Sequence, residues 1–340
     1  MPPFLSTVHG MYGSGPLGEQ SPPSATSPSA EKADPSDQRR ALRGYARRVV
    51  SVLIANPWAS GVDEKRLAAV RAELPEGTEL RLTGAGGDAT EVARELSGRV
   101  DALYVFGGDG TYNEVLNGID ATTPVGFIPG GGTSVLPRAL GLPREAVAAA
   151  RHIALGAHSR RISVGRVNGR RFGFSAGVGL DAEVVRAVDE LGRRSDGRRP
   201  SNLAFAWSGV RTLSRNRFRL EPALEVTGVG RAAFVLVSNG PAYSYAGRLP
   251  LRPAPEASFD GGLDLFAPIR LRARDFPRIV RYAVGKGERV RARDLLYLHD
   301  ADRFEVVCDR PLPLQADGED LGDVERAVFE AERDAVTVLV

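Results

Sequence analysis

"ALYVFGGDGTYNEVLNGIDATTPVGFIPGGG", residues 102–132, holds two apolar runs that each end in glycines, with a helix-like segment between them. "ALYVF" has the length and content of a buried strand, "TYNEVLNGI" reads as a helix, and "PVGFIP" reads as the next strand. Strand, glycine turn, helix and strand in that order is the unit of a parallel sheet with helices on both faces. The preceding residues repeat the texture. "VVSVLIANP" (49–57) reads as a strand closed by a turn, 63–74 as a helix, and "TELRLT" (78–83) as a strand. "DATEVARELSGR" (88–99) has amphipathic helical spacing, with Asp88 or Thr90 available as its cap. In such sheets ligands bind beyond the carboxyl ends of the strands, and both glycine turns fall there.

From about residue 160 short strands dominate. Asn168-Gly169 is a hairpin signal, and "AAFVLVSNG", "GLDLFAPIRL", "RFEVVCD" and "PLQADGE" read as further strands. Helical stretches at 181–191, 202–214 and 275–284 interrupt them. The expected fold class is therefore α/β with two domains. Residues 1–45 form a disordered Pro/Ser-rich tail, 46–158 a Rossmann-like parallel α/β domain, and 159–331 a mainly β domain. The last strand, 332–340, is free to return to the first domain.

Among 340 residues, 42% are apolar and 26% charged, a balance typical of a soluble chain with a sizeable core. Lys plus Arg number 45 against 42 Asp plus Glu, so charge matters through local clusters rather than through its sum. The lone Cys308 excludes an intrachain disulfide and multi-cysteine metal sites, in keeping with a reducing compartment. No apolar run reaches bilayer length, and the N-terminus does not read as a secretory signal.

The turn at 107–111 presents backbone N–H groups at a helix N-terminus, an arrangement that suits phosphate. Glycine serves there for close backbone approach or for positive φ. Thr111 is placed to cap the helix or to bind a phosphate oxygen. Asp109 would repel phosphates unless a divalent cation lay between them. "IPGGGTSVLPRALGLP" (128–143) supplies a second turn at the same end of the sheet. "ADGED" (316–320) reads on spacing alone as a solvent-exposed acidic hairpin, and "FDGGLD" (259–264) as a β-turn.

Taken in order, Asn56-Pro57, "GGDGTYNEV" (107–115), "PGGGTSVLPRALGLP" (129–143), "FDGGLD" and "DGE" (317–319) resemble the diacylglycerol kinase catalytic-domain family. The resemblance spans roughly 48–340 and is to bacterial lipid kinases, with sphingosine kinases as more distant relatives. It implies ATP bound between an α/β domain and a β-sandwich domain, and γ-phosphoryl transfer to a lipid hydroxyl. It places Asn56, Thr83, Gly107, Gly108, Asp109, Gly110, Thr111 and Asn113 at the nucleotide, with Gly132 and Thr133 on the second turn. Glu319 falls on the general base, with Asp109 beside it in the catalytic set. The resemblance also implies Mg²⁺ held by the Asp260 carboxylate and the carbonyls of Ala257 and Gly262. The second turn departs from the family: Ser134 and Val135 stand where members acting on diacylglycerol commonly carry Asn-Asp. A related lipid alcohol such as a sphingoid base, an NAD kinase-like activity, and a catalytically inactive nucleotide- or lipid-binding regulator are the alternatives.

Arg-rich stretches at 39–48, 192–199 with 215–219, and 270–293 would hold the protein against anionic phospholipid if they share one side. The expected place of action is the cytoplasm, at the inner membrane surface. Nucleic acid is not an expected partner, since no binding motif and few aromatics accompany the arginines. A homodimer stays open.

Overall fold

The computed structural model describes residues 50–156, 158–190, 211, 214, 219–284 and 294–340, within one compact unit, Val49–Val340. Four parallel strands begin it: β1 (Ser51–Ala55), β2 (Glu79–Leu82), β3 (Ala102–Gly107) and β4 (Val125–Pro129), ordered β4-β3-β1-β2. β1, β3 and β4 are buried along their whole length, as strands covered on both faces must be. Successive residues point to opposite faces, so each strand feeds two cores. Val52, Ile54, Leu103, Val105 and Phe127 meet Ala89 and Ala93 of α2 (Asp88–Leu96) and Tyr112, Val115 and Leu116 of α3 (Asp109–Leu116). Leu53, Ala55, Tyr104, Phe106 and Ile128 meet Val70 of α1 (Glu64–Glu73) on the other side. That face also takes Ala150 and Ile153 of α5 (Ala146–Gly156), which follows α4 (Val135–Ala139).

Asp63 caps α1, accepting from Arg66 N at 2.8 Å. α2 is different from the cap expected on sequence. Its N-cap is Gly87 at φ 93°, and Asp88 Oδ2 accepts from Gly84 N (2.7 Å) and Ala85 N (2.8 Å). Asp88 therefore closes the entering loop, because a carboxylate at the first helical position points back along the chain.

The β half runs through β5 (Ser159–Val167), β6 (Arg170–Phe172), β7 (Ser175–Val178), α6 (Leu180–Glu190), β8 (Arg219–Leu220), β9 (Leu224–Val226), β10 (Gly230–Ala232) and β11 (Val235–Ser238). Then follow β12 (Ser244–Ala246), β13 (Leu249–Leu251), β14 (Leu263–Pro268), β15 (Leu271–Arg272), α7 (Phe276–Val284) and β16 (Leu295–Ala301). Two long strands finish the chain, β17 (Arg303–Ala316) and β18 (Glu319–Leu339). Sequence reading split these two into short strands. The structure carries them through register shifts between Val307 and Leu312 and between Glu332 and Val336, where bulges absorb the interruptions. β18 pairs antiparallel with β17 and β5, and at Val338 it lies parallel to β4 at Val125. One sheet thus runs β16-β14-β11-β7-β17-β18-β4-β3-β1-β2. Phe172, Val178, Val237, Leu265, Leu314 and Phe329 centre the second core. Most of the helical stretch expected at 202–214 lies outside the described residues, as do the arginine stretches at 39–48 and 192–199.

Candidate active site

Three loops leave the carboxyl ends of β1, β3 and β4 and lie backbone against backbone. Gly130 N donates to Gly107 O at 2.8 Å, and Gly61 N to Gly130 O at 2.8 Å. A Cβ placed on Gly131 would stand 2.9 Å from Gly108 Cα, and one on Gly107 would stand 2.7 Å from Thr111 Oγ1. These glycines are required by close approach, not by positive φ, which among residues 107–111 and 129–134 falls to Ser134 at 47°. Gly108 is the N-cap of α3, extended at φ −103° and ψ −178°, and brings no side-chain cap. The first N–H groups of α3 therefore face the turn uncapped by a side chain, the disposition that receives anions.

Asp109 does not stand idle in the bend. Its Oδ1 accepts from Val135 N at 2.7 Å and so ties the first glycine turn to α4. Behind it the Tyr112 hydroxyl bridges Gly107 O (2.6 Å) and Ile128 O (2.8 Å). Burial, and then the charge of Asp109, push that phenol upward, so it remains a donor. Thr111 is the third residue of α3, in its first turn rather than at its cap, and Asn56 Nδ2 donates to its hydroxyl at 2.9 Å. Thr83 follows β2, is buried, and donates from its backbone to Ala55 O at 3.0 Å, beside Asn56. Gly132 is exposed with open space at its Cβ position, and Thr133 O accepts from Arg138 Nη1 at 3.4 Å. Arg138 lies 3.5 Å over the Tyr245 ring, joining α4 to the β12–β13 hairpin.

The carboxylates arrive on a two-residue hairpin between β17 and β18. Asp317 (φ 49°) and Gly318 (φ 79°) both take the left-handed conformation that such a turn demands. The hairpin is not solvent-exposed. Asp317 is 3% exposed, with Oδ2 accepting from Gly173 N (2.6 Å) and Asn113 Nδ2 (2.8 Å) and Oδ1 from Phe174 N (3.0 Å) and Ser175 N (3.2 Å). Burial pushes this carboxyl up while the four donors pull it back. Gln315 Oε1 holds Gly318 N at 2.9 Å, and its Nε2 reaches Asp181 at 2.6 Å and Tyr243 at 2.9 Å. Glu319 is thereby delivered to the first glycine turn: a Cβ on Gly110 would stand 2.7 Å from Glu319 Oε1. Its Oε2 accepts from Arg170 Nη2 at 2.6 Å.

Asn56, Gly107–Asn113 and Glu319 thus meet at one place, with the second turn against them through Gly131 and Val135. Asp317, Gln315 and Arg170 were given no role on sequence. The Asp-Gly pair signalled a tight turn, but nothing local revealed that its acid is buried. Val135, the departure from the family pattern, is 4% exposed in an apolar cluster with Leu136, Phe174 and Phe259, against which Tyr245 packs.

The 257–262 turn leads into β14, and its Phe259 joins the cluster around Val135. Its Asp260 side chain is 71% exposed and faces Arg160 Nη1 at 3.9 Å. Ala257 is buried, and Gly262 N donates to Asp300 Oδ1 at 2.6 Å. One carboxylate with backbone carbonyls is an all-oxygen donor set, which suits magnesium in kind. Among the described residues no group of three or more His, Cys, Asp or Glu is placed to hold a metal. No described helix is long and apolar enough to cross a membrane.

Residues 51–167 match the family model described as diacylglycerol kinase catalytic domain. Residues 174–340 match the one described as YegS C-terminal NAD kinase beta sandwich-like domain. The chain is 31% identical over 279 residues to the diacylglycerol kinase of Bacillus subtilis (strain 168), spanning 78% of this chain and 88% of that one. Identity is 30% over 249 residues to the diacylglycerol kinase of Staphylococcus carnosus (strain TM300), spanning 71% and 78%. A crystal structure of a diacylglycerol kinase from Bacillus anthracis str. Sterne has a TM-score of 0.63 at 23% identity, covering 86% of this chain and 96% of that chain, and so shares its fold. With its parallel α/β half, its β-sandwich half and glycine turns that meet a carboxylate hairpin, the chain belongs to the diacylglycerol kinase catalytic-domain family.

Proposed function

We propose that the chain transfers the γ-phosphoryl group of ATP, supplied as its magnesium complex, to the hydroxyl of a membrane lipid. The observation that carries this reading is the meeting of Glu319 with Gly110, which sets a carboxylate against an anion-receiving turn. Phosphoryl transfer needs positioning, charge neutralisation and one proton acceptor rather than covalent help from the protein. The glycine turns, with Asn56 and Thr111, hold the phosphates, and Thr83 lies on the nucleotide side. Glu319 takes the proton of the lipid hydroxyl as its oxygen bonds to the γ-phosphorus. The bond from that phosphorus to the bridging oxygen breaks, and ADP leaves with the electron pair. Asp109 fixes the two turns relative to each other.

A second magnesium ion would be held by Asp260, Ala257 O and Gly262 O, where it would neutralise Asp260 and pin the turn before β14. Arg160 must yield its place at that carboxylate. The buried apolar residues at Val135 offer no hydrogen bond to a second hydroxyl, so this reading does not single out diacylglycerol. Monoacylglycerol, sphingoid bases and ceramide therefore stand beside diacylglycerol as substrates. The enzyme works in the cytoplasm as a peripheral protein, its arginines against anionic phospholipid.

The test is transfer of γ-labelled phosphate from ATP to these lipids in mixed micelles, with NAD as a soluble acceptor. Label in one organic-phase product supports the reading. Label in NAD alone, or none with ATP binding confirmed by calorimetry, contradicts it.

A further inference from the structure

The Arg170 guanidinium has no part in the reaction as described, yet it lies at its centre. Arg170 opens β6, directly after the Asn168-Gly169 turn (φ 48° and 88°). Nη2 donates to Glu319 Oε2 at 2.6 Å and to Asn113 Oδ1 at 2.9 Å. Asn113 is itself tied down: it is fully buried on α3, and its Nδ2 donates to Arg171 O (2.9 Å) and Asp317 Oδ2 (2.8 Å). The guanidinium therefore ties the hairpin carboxylate to the helix behind the glycine turn, across 149 residues of sequence.

The other charges near Glu319 are turned to other partners. Asp317, on the same hairpin, is bonded to Asn113 and to residues 173–175. Asp320, next along β18, faces Arg186 of α6 at 2.8 Å and 3.0 Å. Asp109 of α3 accepts from Val135 N. Among the described residues, Asp181 of α6 also reaches this hairpin, through Gln315 Nε2 at 2.6 Å, and Asp323 pairs with Arg186 at 2.7 Å. Both side chains of the pair are partly shielded, Arg170 at 39% and Glu319 at 26% exposure, so water screens their attraction only in part.

We propose that Arg170 is a positioning residue for the transfer step, aiming Glu319 Oε2 and keeping that carboxylate in its proton-accepting form. The inference rests on Glu319 acting as the base. A guanidinium is planar, always charged and directional, so it fixes the rotamer of its carboxylate as well as its charge. A neutral residue at 170 would remove the hydrogen bond that aims Glu319 Oε2 and would make the carboxylate easier to protonate.

The experiment is the pH dependence of kcat/KM for label transfer to a total bacterial lipid extract. Wild type, Arg170→Met, Arg170→Lys and Glu319→Gln are compared. Removing an opposite charge raises a carboxylate's affinity for protons, so the acid limb of Arg170→Met moves up by about one pH unit. Its kcat falls at least about tenfold, while KM for ATP stays within about twofold. Arg170→Lys returns the limb toward its wild-type position, and its melting temperature controls for folding should the Met variant unfold. An acid limb unmoved in Arg170→Met, or a raised KM for ATP as the sole change, overturns the proposal. An active Glu319→Gln with no acid limb instead removes the base itself, a different failure.

Discussion

Asp317→Ala tests how the carboxylate hairpin is held. The side chain is 3% exposed and accepts four hydrogen bonds, three from backbone N–H groups of residues 173–175 and one from Asn113. The substitution leaves four buried donors facing a void, at about 1 kcal/mol or more each. Alanine at φ 49° adds about 1 kcal/mol of backbone strain, and relaxation of the 173–175 loop recovers a similar amount. The net loss is about 4 kcal/mol. Asp317→Asn keeps the turn conformation but sets an amide donor against N–H groups, costing about 2 kcal/mol. Denaturant unfolding followed by circular dichroism gives both values. Transfer activity of the Asn variant falls further than its stability, because Asn113 loses the acceptor that holds α3 to the hairpin. An Asp317→Ala protein within about 1 kcal/mol of wild type would refute the reasoning, since unmet buried donors cannot cost so little.

Gly110→Ala puts a methyl 2.7 Å from Glu319 Oε1 and pushes the carboxylate aside. Transfer falls roughly 10–100-fold with little change in melting temperature, as kinetics and calorimetry on one preparation would show. Arg171 donates to Leu116 O (3.0 Å) and Ile119 O (2.7 Å) at the end of α3 and pairs with Glu332 at 2.7 Å. Arg171→Ala therefore costs about 2–3 kcal/mol at neutral pH. Burial raises the Glu332 carboxyl, but Arg171 and Arg166 outweigh it and hold it below its ordinary value. That part of the cost is present above the unfolded carboxyl's range and vanishes as pH falls through the lowered folded value, as unfolding between about pH 3 and 7 would reveal. His299 Nδ1 lies 3.0 Å from Asp264, whose hydrogen bond raises the imidazole. Its contribution is present below about pH 6.5 and is lost as pH rises through the raised folded value. Because the ring is half exposed, His299→Gln costs under about 1 kcal/mol at pH 5.5 and nothing at pH 9 in the same assay.

The parallel half was legible because its signals are local. β1, β3 and β4 are mostly apolar runs ending in Asn56-Pro57 or in glycines, and α2 carries a clear apolar stripe. The long strands were not. β18 alternates buried Ala327 and Phe329 with Arg326 and Glu330, then breaks register near Asp334, so it resembles several short strands. The partners of the candidate site were hidden by distance along the chain. Asp317 is buried by residues more than 140 positions earlier, and Arg170 meets Glu319 only because β6 and the β17–β18 hairpin converge on α3. Asp109 invites a cation when read beside its glycines. In three dimensions it also serves as acceptor for Val135 N, a contact that no spacing announces.

The most direct measurement is lipid-phase label from γ-labelled ATP for wild type and Glu319→Gln, with ATP affinity measured on both. If Glu319 is the base at the glycine turn, the wild type labels one lipid. The variant then loses at least about 100-fold in kcat while binding ATP equally well. Equal labelling by both proteins, or no lipid label from a wild type that binds ATP, would contradict it.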